Sequence, residues 1–250
     1  MHKTVSLDLE TIPDFEACKR AGVDPADGFL PYPLHEIACA SVLTIIKDRE
    51  GKLSFSLDSF TRERMGERGI VASVERMIED AREVVTFNGA GFDVPAMIVR
   101  AALTGEVVPG LARLHSSSAH VQRRHVDLAR EIRGRGNAPA VKLVELCAPF
   151  SIPVKLDCAG SDVAAMAEAG EWTRIARYCE SDVVATWLAL QYWRGAEFGV
   201  PTLGEEGWTA LADWIAEDPD RWPHLDPYLD VPELGGGRAL GELSFEELGL

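Results

Sequence analysis

The chain has 250 residues, 46% of them apolar, which is enough to bury a substantial core in one large domain or two small ones. Its longest apolar stretches, such as "IACASVLTII", reach about ten residues against the roughly 20 that span a bilayer, which excludes a membrane helix. A formal net charge of −15 argues against nucleic acid, but residues 201–250 hold twelve of the acids against Arg221 and Arg238, whereas residues 113–142 form a locally basic stretch.

In chain order, residues 3–9 read as a strand, followed by a long loop, "PDFEACKRAGVDPADGFLPYP", rich in turn formers. "EIACASVLTIIKD" and "KLSFSLDSF" read as a hairpin, so the first three strands form an antiparallel meander. "SVERMIEDAREVV" has a helical period and leads into the strand "EVVTF". "VPAMIVRAALTG" is a helix with Pro95 in its first turn and Gly105 at its end. After the break "GRGNAP", three helices follow in "AVKLVELCAPF", "SDVAAMAEAG" and "EWTRIARYCESDVVATWLALQYWRG", the last long and amphipathic. "GWTALADWIAED" reads as one more helix, "PDRWPHLDPYLD" as a short one, and "ELGGGRALGELSFEELGL" as an acidic, flexible tail. This order predicts a mixed-sheet α/β fold with a helical C-terminal extension. The expected organisation is a main domain over 1–200, a helical extension over 201–232 and the tail over 233–250.

The five cysteines, Cys18, Cys39, Cys147, Cys158 and Cys179, have no C-x-x-C spacing, which argues against a disulfide framework and a zinc site. Reduced, partly buried thiols are expected. With no apolar leader at its start, the chain is read as cytoplasmic.

Three short stretches carry candidate chemistry. In "VSLDLETIP", Asp8 and Glu10 project from one face of a strand, while Val5, Leu7 and Leu9 project from the other. Such a face is either wet, on an edge strand, or half of a site for a hard cation such as Mg²⁺ or Mn²⁺. In "FNGAGFDVP", Asp93 can be an N-cap or a further acid of the same site, and Phe92 can be core or a surface on which a base stacks. In "YCESDV", Tyr178 and Asp182 are spaced i, i+4 and share a helix face. Asp182 can pair there with Arg174 or Arg177, and Glu180 is expected at the surface.

A D-x-E strand, an N-G-x-x-F-D turn opening a helix and Y-x-x-x-D on a late helix, in this order, resemble the three motifs of the DEDDy branch of the DnaQ-like 3′ to 5′ exonucleases. With "LHEIACASV", "HVDLAREI" and "KLVELCAPFSIPVK", residues 3 to about 195 resemble the predicted exonucleases related to the proofreading domain of family B DNA polymerases. The resemblance implies a ribonuclease H-like α/β fold, a mixed five-stranded sheet flanked by helices. It implies Asp8, Glu10, Asp93 and Asp182 as ligands of two divalent metal ions, Mg²⁺ or Mn²⁺, and Tyr178 as the residue that orients the attacking water. Its substrate would be single-stranded or frayed 3′ ends of DNA, with RNA as the alternative. Asn88 and Phe92 are implied contacts to the terminal nucleotides, and Lys142, Lys155, Arg123, Arg124, Arg133 and Arg135 are candidate phosphate contacts. A rival from another class is a non-catalytic binding module that recruits a protein partner through the acidic tail.

Overall fold

The structure is a computed structural model and describes residues 1–116, 124–134, 136–154 and 160–232. Arg123, Arg135, Lys155, Cys158 and the tail over 233–250 lie outside the described residues.

The first strand, β1 (His2–Pro13), is longer than its apolar run. It pairs antiparallel with β2 (His35–Lys47), which pairs antiparallel with β3 (Leu53–Thr61), as the meander requires. On its other side β1 pairs in parallel with β4 (Glu83–Thr86), and β4 pairs in parallel with β5 (His125–Asp127), giving the order β3-β2-β1-β4-β5. The strand carrying Asp8 and Glu10 is therefore the middle strand of five rather than an edge strand, and Glu10 is buried on it. The segment between β1 and β2 is not all loop. Asp14 accepts a hydrogen bond from the Ala17 amide at 2.8 Å and starts α1 (Phe15–Ala21), which ends at Gly22 in the left-handed region.

One face of the sheet is covered by α2 (Arg62–Ile78) and α3 (Asp93–Thr104). Val5, Leu7 and Leu9 pack there against Ile70, Val71, Val74, Val94 and Met97. α2 starts about ten residues before its periodic stretch, because Gly66 kinks it and Glu67 is buried, accepting from the Ile37 amide at 2.7 Å and pairing with Arg100. Short helices α4 (Pro109–Leu114) and α5 (Leu128–Glu131) flank β5, and α6 (Leu143–Cys147) and α7 (Val163–Glu168) follow.

The opposite face is covered by α8 (Trp172–Phe198). Ser6 donates to the Val183 carbonyl at 2.9 Å, so the even-numbered side chains of β1 point at this helix. α8 departs from the expected amphipathic pattern, since residues 183–190 are buried without a break. Its outer side is roofed by α9 (Leu203–Ala216) and a 3₁₀ segment, Pro223–Leu229. Trp208 and Tyr228 are fully buried in this roof; Trp208 Nε1 donates to the Tyr228 carbonyl at 2.8 Å, and the Tyr228 hydroxyl lies 2.7 Å from the Pro153 carbonyl and 3.0 Å from that of Ser181. The same roof overturns the surface placement of Glu180, which is 8% exposed, accepts from Ser59 Oγ at 2.6 Å and lies 2.8 Å from His224 Nε2. Among the described residues no helix is long and apolar enough to cross a membrane. Cys18, Cys39, Cys147 and Cys179 are free and buried.

Candidate active site

β1 meets β4 only as far as Ser6, so from Leu7 onward its edge on that side is open to another partner. The chain turns after Thr86 and places the first residue of α3 there. Asp93 thus starts its helix rather than capping it, since Phe92 holds the N-cap position, and its carboxylate accepts from its own amide and from the Leu9 amide. Glu10 and Asp93 are 7% and 5% exposed.

The third part of the site comes from the helix α8. Tyr178 is 8% exposed and packs with Cys179 in a small apolar cluster with Ala38, Cys39, Val163 and Met166. The Cys179 thiol donates toward the Asp8 carbonyl at 3.4 Å and Asp8 Oδ2 at 3.6 Å. Ligand atoms of Asp8, Glu10 and Cys179 all lie within 4.8 Å of one another. Asp182 follows one turn after Tyr178, and its charge reaches both Asp8 and Glu10.

Electrostatics follow from this crowding. Burial, then the charges of Asp93 and Asp182, push the Asp8 carboxyl well above the usual carboxylate range. Burial, then Asp8 and Asp182, do the same to Glu10. Burial raises Asp93 to about 7, with Asp127 adding to the rise and the two amide hydrogen bonds opposing it. The Cys179 thiol is also pushed up by burial, so it meets Asp8 as a protonated donor.

Asp127 is the residue that sequence reasoning missed. It is 3% exposed, and its two oxygens accept from the Asn88 amide at 2.9 Å and the Ala90 amide at 3.0 Å. This bidentate grip holds the turn that presents Phe92 and Asp93, with Asn88 in the left-handed region at φ 65°. Gly89 is needed because a Cβ there would meet the Thr86 side chain at 2.5 Å. The available signal was "HVD" directly before a helix, an acid at a strand end beside the strand that carries the turn. Replacing Asp127 by Asn turns one acceptor into a donor facing an N–H. The expected loss is about 2 kcal/mol of stability, read from urea unfolding.

Of the other sequence candidates, Asn88 and Phe92 stand on this turn beside Asp93. Arg133 and Lys142 are exposed after β5, and among the described residues neither forms an ion pair with an acid of the site. Arg124 is spent on the carbonyls of Ile78 and Glu79, and Arg174 pairs with Glu171 at 2.9 Å. A cleft of about 680 Å³ opens beside Tyr178, between the start of α8 and Pro223–His224.

Residues 27–229 match the family model described as a predicted 3′-5′ exonuclease related to the exonuclease domain of PolB. The chain belongs to this exonuclease family. The match takes in Asp93, Tyr178 and Asp182 and runs on through the α9 roof, beyond the extent of the sequence resemblance; Asp8 and Glu10 precede it and join the site through the geometry above. The fold is ribonuclease H-like. The family B DNA polymerase from the hyperthermophilic archaeon Pyrobaculum calidifontis is similar in structure, with a TM-score of 0.56 and 16% identity over 89% of this chain and 29% of the polymerase. The chain thus spans less than a third of that protein. Escherichia coli Exonuclease I, solved with a dT13 oligonucleotide, aligns at a TM-score of 0.43 and 14% identity over 79% of this chain and 42% of its own. No curated protein matches the sequence.

Proposed function

We propose that this exonuclease is a divalent-metal-dependent hydrolase of phosphodiester bonds at the 3′ end of DNA, acting on single-stranded or frayed ends through Asp8, Glu10, Asp93, Asp182 and Tyr178. The observation that carries the reading is the convergence of buried carboxylates from the middle strand and the start of α3, under the charge of Asp182 from α8. Burying mutually repelling acids costs several kcal/mol unless protons or cations neutralise them. The donor set fits hard cations. The oxygens of Asp8 and Glu10 are carboxylate oxygens, and the Cys179 thiol beside them is held protonated. Asp8, Glu10, Asp93 and Asp182 would hold the ions, and two ions fit the charge of four carboxylates. Bound there, divalent ions supply Lewis-acid polarisation of the phosphoryl oxygens and lower the pKa of the attacking water.

The chain's own contribution is placement. Leu9 N–H and the Asp127 grip fix the Asp93 carboxylate, and Cys179 fixes Asp8. Tyr178, a phenol, serves by hydrogen bonding and orientation. Tyr178→Phe is therefore expected to lower kcat about a hundredfold while the rise in Tm on adding Mn²⁺ stays that of the wild type. Loss of the metal response along with activity would place Tyr178 among the ligands' supports instead. Chemistry at a 3′ terminus requires that terminus to leave its complement, which favours single strands, and Phe92 beside Asp93 offers a stacking surface.

Incubating 5′-labelled single-stranded DNA and RNA with the protein and Mn²⁺ tests the reading. A ladder shortening from the 3′ end, stronger on DNA and absent for Asp8→Ala, is expected. No shortening of either polymer, or equal products from the variant, overturns it; a preference for RNA replaces the substrate.

A further inference from the structure

A groove of about 930 Å³ opens between α9, the second half of α8 and the strand ends beside the β2-β3 turn. It lies away from the acids. Its sheet wall includes His2 and Thr4 of β1 with Ile45 and Leu53 of the hairpin, whereas Asp8 and Glu10 stand further along β1. The groove is lined by large apolar side chains. Phe55 and Trp187 meet edge-on with ring centroids 5.2 Å apart, and Phe55 lies 5.8 Å from Trp214 of α9. Leu53, Phe55, Leu203 and Trp214 are only half-buried, and Phe198, at the end of α8, is 63% exposed. Water therefore stands against a concave apolar row, and covering that row is favourable.

The two rims carry opposite charge. On the hairpin side Lys47 and Lys52 are exposed, and neither ammonium group forms an ion pair among the described residues. On the α9 side Glu206, Asp213 and Glu217 are exposed acids of the wall, while Arg194 and Glu83 pair with each other at 2.6 Å. The described chain ends near this groove. Trp222 of the roof lies 5.5 Å from Trp214, and the Tyr228 hydroxyl is fixed to the carbonyl of Ser181, which is about 9 Å along α8 from Trp187. Val231 packs against the same core cluster as Phe55 and Trp214. Residues 233–250 follow, with a reach of about 60 Å when extended. They begin with "ELGGGRA", a glycine joint, and continue as "LGELSFEELGL", in which Leu240, Leu243, Phe245, Leu248 and Leu250 are interleaved with Glu242, Glu246 and Glu247. The order of charge suits the two rims. Arg238 precedes the apolar run, and Glu246 and Glu247 come near its end.

We infer that residues 238–250 dock in this groove of their own chain, with the leucines and Phe245 against Phe55, Phe198 and Trp214, Glu246 and Glu247 against Lys47 and Lys52, and Arg238 against the acids of α9. The tether makes a modest intrinsic affinity sufficient, because a short linker presents the segment at a millimolar effective concentration. Docking covers the apolar row and ties the end of the chain to the second half of α8. The groove lies toward the far end of α8 from Tyr178 and Asp182, so the docking does not depend on the nuclease reading.

Hydrogen–deuterium exchange of the full chain at low micromolar concentration, compared with a peptide of residues 238–250 free in solution, tests the docking. Amides of residues 240–250 are expected to exchange about tenfold or more slowly in the chain than in the peptide. Phe245→Asp, or Lys47→Glu together with Lys52→Glu, removes that protection while the amides of the sheet keep theirs, which shows the fold intact. Adding Glu246→Lys and Glu247→Lys to the lysine double variant restores it. A labelled peptide of residues 238–250 binds a chain ended after Pro232 saturably and binds the full chain about tenfold more weakly, since the groove there is filled. Exchange of the tail at the free-peptide rate, equal peptide binding by both chains, or a charge swap that restores nothing overturns the docking. Protection that grows with protein concentration, together with a dimer in sedimentation, assigns the groove to a second copy and overturns docking within one chain.

Discussion

Asp8→Ala is expected to lower the rate of 3′ shortening by about a thousandfold or more, while making the metal-free protein harder to melt. The two effects have one origin. Asp8 sits among Glu10, Asp93 and Asp182, with its pKa driven up by burial and by its neighbours' charges. On the proposed reading, removing it deletes a metal ligand, a loss worth several kcal/mol in the transition state, and each 1.36 kcal/mol is a factor of ten in rate. It also deletes a repulsion that the empty fold has to bear. Rates on a labelled strand and thermal melts in a chelator measure both. A variant that is inactive and also less stable without metal would mean that Asp8 holds the fold rather than the ions.

The second large effect is a pH dependence that runs opposite to ordinary acid denaturation. Asp93 has a folded pKa of about 7 against an ordinary value of 3.8, and Asp8 and Glu10 are raised as well. A carboxyl whose folded pKa is raised binds its proton more tightly in the folded state than in the unfolded one. Its favourable contribution is complete below the unfolded value and is lost as pH rises through the folded value. For Asp93 the loss falls between about pH 4 and pH 7 and is on the order of 4 kcal/mol, at 1.36 kcal/mol per unit. Metal-free Tm is therefore expected to fall from pH 5 to pH 8. Saturating Mn²⁺ should restore it, and most strongly at pH 8, since a cation competes with protons for the same oxygens and stabilises by RT ln(1 + [L]/Kd). A metal-free Tm that rises over this interval would count against the acid cluster as the source.

What could be read in the sequence was local. The D-x-E alternation, the glycine turn before Asp93 and the i, i+4 spacing of Tyr178 and Asp182 are fixed by strand and helix periods, and so is the β1-β2-β3 meander. What could not be read depended on partners distant in sequence. Whether the face of Asp8 and Glu10 is wet is decided by α8, which comes from about 170 residues further on and lies over it. Glu180 looked like a surface residue because its helical position is judged against the sheet alone, and the roof from Pro223–Leu229 covers its other side. β5 is three residues long and too short to show an alternation, so Asp127 lost its most useful clue.

The contacts that build the site are among the longest closures in the chain. Cys179 reaches Asp8 across 171 positions, and Ser6 reaches Val183 across 177. Such closures carry a larger entropic cost than local ones and reward folding only once both ends are in place. The Tyr228 hydroxyl, hooked on the Ser181 carbonyl beside Asp182, comes from further along still. Until these closures form, Asp93 and Asp182 are not held beside Asp8 and Glu10, which share one strand. On the proposed reading the site is assembled only in the completed fold, and a cation that binds it would act as a ratchet on that last step rather than as a template for the first.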